Sequence, residues 1–140
     1  NQKRTDLIKP MSYGLLPGGK KIRSKIIYDI GQIFNINYQT IIAIGSAVEC
    51  IHAYSLIHDD LPCMDNDKIR RGKVATHIKF GESTAILAGN SLLTLAFEMI
   101  ADKNYKIDNH DDFKYFFPSS KSRSYFYKCK PFLQSSVFYQ

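Results

Sequence analysis

At 140 residues, 44% hydrophobic and 23% charged, the chain has the length and balance of a single globular domain, or part of one, with a core of ordinary size. Its three cysteines, Cys50, Cys63 and Cys129, are odd in number and lack CxxC spacing, which argues against a disulfide framework or zinc ribbon and for a reducing, cytoplasmic setting. The net charge of +6 is spread without a dense basic stripe, so small anions are better expected partners than a nucleic acid.

The expected elements are mostly helical. Before the first of them lies Pro17 to Arg23, PGGKKIR. Gly18 and Gly19 permit close backbone approach, and Lys20 with Arg23 can converge on one anion near a helix start. A P-loop reading of Gly14 with Gly19-Lys20 fails, because Lys21 stands where the magnesium-binding hydroxyl belongs and no strand precedes the glycines. Residues 23–34 place Ile26, Ile27, Ile30, Ile33 and Phe34 at helical spacing, with Ser24 available as N-cap. A polar connection follows. From Thr40 the pattern restarts, with Ile41, Ile44, Val48 and Ile51 on one face, and runs toward Asp60. His52 and Asp59 are seven residues apart, about 20° short of two turns, so they share a face with Ser55 between them. His58 points elsewhere and is expected to be structural.

Residues 59–72, DDLPCMDNDKIRRG, carry four aspartates in nine positions with Arg70 and Arg71 directly behind. Two such charges about 6 Å apart repel by roughly 3 kcal/mol at an effective dielectric of about 20. A positive group is needed among them. Oxygen ligands suit a hard divalent cation, and magnesium is commonly held by one or two carboxylates together with a substrate's phosphates. The arginines can take phosphate oxygens that a metal leaves over. Pro62 ends the helix near Asp60, and the ensuing turn can bring Asp65 back toward Asp59. Residues 66–80 are expected to form an irregular loop hinged at Gly72. Gly81 to Ser83 then open a helix that is apolar on nearly every side as far as Ala101, as suits the inside of a bundle. No apolar run is expected to cross a membrane, and no signal peptide is evident.

The segments GGKKIR, AVECIHAYSLIHDDLPCMDNDKIRRG and HIKFGESTAILAGNSLL together resemble the trans-isoprenyl diphosphate synthase (polyprenyl synthetase) family, bacterial farnesyl diphosphate synthases in particular. The resemblance covers residues 11–101. It implies an all-α helical bundle, part of the isoprenoid synthase fold, around a deep cavity with the aspartates at its mouth. It also implies a prenyltransferase that condenses isopentenyl diphosphate with an allylic diphosphate. By position, Lys20, Arg23, His52 and Arg71 would bind isopentenyl diphosphate. Asp59 and Asp65 would hold Mg2+, with Asp60 beside them, and Arg70 would grip the allylic diphosphate. Tyr54, five residues before Asp59, stands where a ring limits product length; ordinary helix packing is the alternative.

There are departures from the family pattern. Ser24 replaces a proline, Asn66 and Lys68 interrupt the aspartate run, and Asn90 stands for an aspartate. After residue 100 there is no second aspartate-rich motif, no Lys-Thr pair and no glutamine ahead of such a motif. The resemblance thus implies a domain at 1–100 that is part of a synthase about twice as long, and a truncated copy inactive alone. Residues 101–140 hold eleven of the 18 aromatics and resemble nothing in the family. Aromatics among Lys121, Arg123, Lys128 and Lys130 could stack on single-stranded nucleic acid, and an out-of-frame segment would look similar. A non-catalytic partner subunit of a complete synthase, as a homo- or hetero-oligomer, is the other alternative.

Overall fold

The computed structural model describes residues 6–16 and 19–102. The expectations for the aromatic tail therefore lie outside the described residues from 103 onward. Among the described residues, five helices and one small hairpin follow in order: α1 (Ile8–Leu15), α2 (Ile22–Ile33), α3 (Tyr38–Asp59), β1 (Ile69–Arg70), β2 (Lys73–Val74), α4 (Thr76–Phe80) and α5 (Glu82–Ala101). The all-α expectation holds, the hairpin contributing only two residues per strand. The chain divides into two compact units, one of Asn1–Lys20 with Cys50–Thr94, the other of Lys21–Glu49 with Leu95–Gln140.

In the first unit, α1 begins where the Asp6 carboxylate accepts the Ile8 N–H at 3.2 Å, and Pro10 in the first turn costs little because its missing N–H would be unpaired anyway. Its sequence, with a proline and Gly14 in eight residues, gives no periodic signal, and the helix was not expected. Gly14 is used for close approach. A Cβ there would strike the Ile57 side chain, so α1 lies directly on the second half of α3. The buried line Cys50, Ala53 and Ile57 continues the core of α3, and Ala85, Ala88 and Leu92 supply that of α5. The loop expected at 66–80 is instead ordered. β1 and β2 pair antiparallel with Ile69 opposite Val74 and Arg70 opposite Lys73. Arg71 (φ +53°) and Gly72 (φ +74°) both adopt positive φ, the backbone demanded by the tight two-residue hairpin turn. Then α4 follows, and Gly81 at φ +87° separates it from α5.

In the second unit, α2 starts two positions before Ser24, with Lys21 as its N-cap at φ +45°. Ser24 does not cap. It is buried inside the first turn, where its hydroxyl donates to the Lys21 carbonyl at 2.9 Å. The cap comes from another helix: Glu49 on α3 accepts the Ser24 N–H at 3.3 Å and stands 3.6 Å from the Lys21 ammonium. A carboxylate at a helix N-terminus answers both the open N–H groups and the dipole. At the other end, Asn35 at φ +52° closes a Schellman motif, its own N–H on the Gln32 carbonyl at 3.2 Å and that of Ile36 on Gly31 at 2.9 Å. The isoleucine stripe of α2 is not buried as its spacing predicts. Ile26 and Ile30 are about half exposed and Ile33 is 73% exposed, whereas Ser24 and Gly31 face inward. Gly31 is needed there, since a Cβ would lie 2.5 Å from the Ile41 side chain. Asn37 caps α3 by accepting the Gln39 N–H at 2.9 Å.

Along α3 the expected face is split: Ile41 is fully buried, as are Ala43, Ala47, Cys50 and Ala53, whereas Ile44, Val48 and Ile51 are half-buried. Among the described residues, α3 and α5 are each long and apolar enough to cross a membrane, by length and composition only. The apolar window of α3 lies mostly inside the protein, as in a core helix.

Candidate functional site

The acidic turn closes as the position of Pro62 predicts. The Asp65 N–H donates to the Asp59 carbonyl at 2.8 Å, and Met64 and Asn66 donate to the Leu61 carbonyl at 2.9 and 3.0 Å. Asn66 supports the reversal at φ +55°. This brings the backbones of Asp59 and Asp65 together across five intervening residues, leaving Asp59 half-buried and Asp65 exposed.

Asp60 has a different task. Only 3% exposed, it accepts from Nε of Arg70 at 2.8 Å and also from Nη2 of the same guanidinium. Arg70 reaches Asp67 as well, at 3.0 Å. The hydrogen bond to Asp60, with the added charge of Asp60, Asp67 and Asp59, pushes the Arg70 pKa further up despite partial burial. Two of the four aspartates are therefore bound to protein cation, which relieves much of the repulsion expected of the cluster. Among the described residues, no three histidine, cysteine or acidic side chains gather as a metal site. Asp59 and Asp65 remain as oxygen donors, a pair that fits magnesium only when phosphates complete the coordination.

Arg71 stands at the hairpin tip. Its Nη2 lies 3.3 Å from Nε2 of His52, and because a guanidinium has no acceptor, the ring nitrogen accepts, which places the imidazole proton on Nδ1. On its other side the guanidinium lies against Gly19. A Cβ at Gly19 would be 2.6 Å from Nη1 and 2.8 Å from Cζ. Three stretches far apart in sequence thus meet: the glycine loop, α3 and the hairpin. Lys20, next to Gly19, is exposed; Arg23 is exposed on the first turn of α2, in the other unit. Ser55, on the line from His52 to Asp59, turns its hydroxyl to the His52 carbonyl at 2.9 Å.

Tyr54 packs edge-on against His58, ring centroids 4.7 Å apart. His58, expected to be structural, makes its contacts within the fold. Its Nε2 is 3.2 Å from the Ile86 carbonyl, to which it can only donate, and its ring lies so close to Gly89 that a Cβ there would collide. Glu49 is the residue that motif reading missed. A carboxylate in the middle of a largely apolar helix needs a buried partner, and that signal was available.

A sequence profile described as polyprenyl synthetase matches residues 4–117. The chain belongs to the polyprenyl synthetase family. It is 53% identical over 98 residues to a farnesyl diphosphate synthase of Escherichia coli, covering 70% of this chain and 33% of that one. A farnesyl diphosphate synthase of Buchnera aphidicola is 50% identical over 99 residues, 71% of this chain and 35% of the relative. Among solved structures, an FPP/GFPP synthase from Zymomonas mobilis superposes with a TM-score of 0.73 at 39% identity, over 79% of this chain and 40% of that one. This polyprenyl synthetase chain spans about a third of the length of the curated relatives it matches, and its fold is the corresponding part of the isoprenoid synthase bundle.

Proposed function

We propose that this chain carries the diphosphate-binding part of a prenyltransferase that joins isopentenyl diphosphate to an allylic diphosphate, as in farnesyl or geranyl diphosphate synthesis. The observation that carries the reading is the meeting of Gly19, His52 and Arg71, three positions of one expected anion site. In this reading Arg71 and Lys20 supply positive charge and His52 a hydrogen bond to the isopentenyl diphosphate; the role expected of Arg23, on α2, rests on the family resemblance alone. Asp59 and Asp65 hold Mg2+, which when bound supplies neutralisation of the departing diphosphate.

Arg70, kept charged and aimed by Asp60, contributes a fixed cation beside the allylic diphosphate, so that no reorganisation is needed as charge builds on the leaving oxygens. Breaking the allylic C–O bond leaves a carbocation, which the isopentenyl double bond attacks; loss of a proton to diphosphate ends the step. Tyr54 limits product length in this reading, and its packing on His58 supports a ring of fixed orientation. A cytosolic location belongs to the same reading.

The test is a calorimetric titration of the purified chain with isopentenyl diphosphate, and with an allylic bisphosphonate in magnesium buffer, followed by an assay for farnesyl diphosphate from geranyl and isopentenyl diphosphates. Uptake of both ligands is expected; uptake of neither refutes the proposal. A second reading, a non-catalytic partner of a complete synthase, draws on the exposed apolar row Ile22, Ile26, Ile30 and Ile33 of α2. Co-purification with such a synthase, with no turnover by the chain itself, would favour it.

A further inference from the structure

The hairpin that presents Arg70 and Arg71 is two residue pairs long, and a ribbon of that size is marginal in water without outside support. Supports are visible on both strands. Arg70 ties β1 to Asp60. On β2, the Tyr13 hydroxyl donates to the Val74 carbonyl at 2.7 Å. Tyr13 is itself held in place: its ring meets Phe80 edge-on at 5.3 Å and the Lys79 ammonium sits 4.0 Å from the ring centroid.

The placement of this bond gives it leverage. Tyr13 is in α1 and Val74 is on the strand that follows the Arg71-Gly72 turn. The hairpin is thus held near its base by Tyr13 and at its tip where Arg71 lies on Gly19. One contact sets a position, but contacts at both base and tip also set the hairpin's angle. Val74 is paired with Ile69, so anchoring it holds the base of the hairpin while the tip carries the guanidinium.

We propose that Tyr13 is a positioning residue for isopentenyl diphosphate: its hydroxyl, by anchoring Val74, fixes Arg71 over Gly19 and beside His52. This rests on the binding role given above to Arg71. Tyr13 touches neither substrate, and its effect is transmitted wholly through the hairpin.

The experiment is a double-mutant cycle on the full chain, with Tyr13→Phe, Arg71→Gln and the pair, titrated calorimetrically with isopentenyl diphosphate and separately with an allylic bisphosphonate in magnesium buffer. Phenylalanine keeps the ring and removes only the hydroxyl. Tyr13→Phe is expected to weaken isopentenyl diphosphate by about five- to tenfold, the effect of one lost hydrogen bond, and to leave the bisphosphonate unchanged. In the Arg71→Gln background the same substitution has no further effect, because the residue it acts through is gone. Undiminished binding by Tyr13→Phe, or an equal loss with and without Arg71, overturns the inference. So does a loss of helix by circular dichroism, which would make the hydroxyl a general structural bond. Failure of the wild-type chain to bind either ligand is a separate result: it removes the functional reading first and this inference with it.

Discussion

Gly19→Ala perturbs the proposed anion site at a single atom. Gly19 has φ +99°, so any Cβ carries a backbone cost of about 1–2 kcal/mol. The new methyl would also start 2.6 Å from Nη1 and 2.8 Å from Cζ of Arg71. To reach ordinary contact the guanidinium must withdraw to about 3.4 Å or more, enough to disturb its placement beside His52, which is 3.3 Å away. A displaced charge-assisted contact is worth about 1.5–3 kcal/mol, or roughly 10- to 150-fold in affinity. The structure supplies its own control. Gly81 has a similar φ of +87°, yet a Cβ there meets nothing within 4 Å. Both substitutions are expected to lower the denaturation midpoint by comparable amounts, while only Gly19→Ala weakens isopentenyl diphosphate in calorimetry. Equal effects of the two on binding would show that Gly19 matters for backbone strain alone and that Arg71 does not bind from this position.

Asp59→Asn and Asp65→Asn should each weaken magnesium-dependent uptake of an allylic bisphosphonate by at least about tenfold, with isopentenyl diphosphate binding unchanged, as titrations with and without a chelator would read. Asp60→Asn should cost about 2 kcal/mol in urea denaturation, less than a fully buried pair because Arg70 is one-third exposed. For Arg70 the sign is plain: its pKa is raised, so its part of the stability is complete below the ordinary guanidinium value and is lost only in stronger alkali. The difference between wild type and Asp60→Asn should therefore show no slope from Arg70 between neutral and moderately alkaline pH. Gly89→Ala should drive the His58 ring off its seat, lowering stability by about 1–3 kcal/mol and, through the edge contact with Tyr54, shifting that ring; a thermal melt unchanged from wild type would refute the packing argument.

Several features were legible in the chain itself because they depend on neighbours in sequence. Pro62 and the periodicity before it end α3 at the aspartates. The closely spaced charges require a cation, and Gly81 with Glu82 opens α5. Those effects are local and survive any surroundings. What the tertiary structure decided lay elsewhere. Burial on α2 follows the close approach that Gly31 makes to Ile41, so Ile26, Ile30 and Ile33, although at helical spacing, ended about half exposed or more. The cap of α2 comes from Glu49, 25 residues downstream of Ser24, where no local rule would look for it. Asp60 and Arg70 are partners because the hairpin folds back, and Arg71 meets His52 and Gly19 for the same reason. Spacing along the chain can nominate side chains for a site; only the folded backbone determines which charges neutralise one another and which are left facing a ligand, since Coulomb and contact energies depend on distance in space.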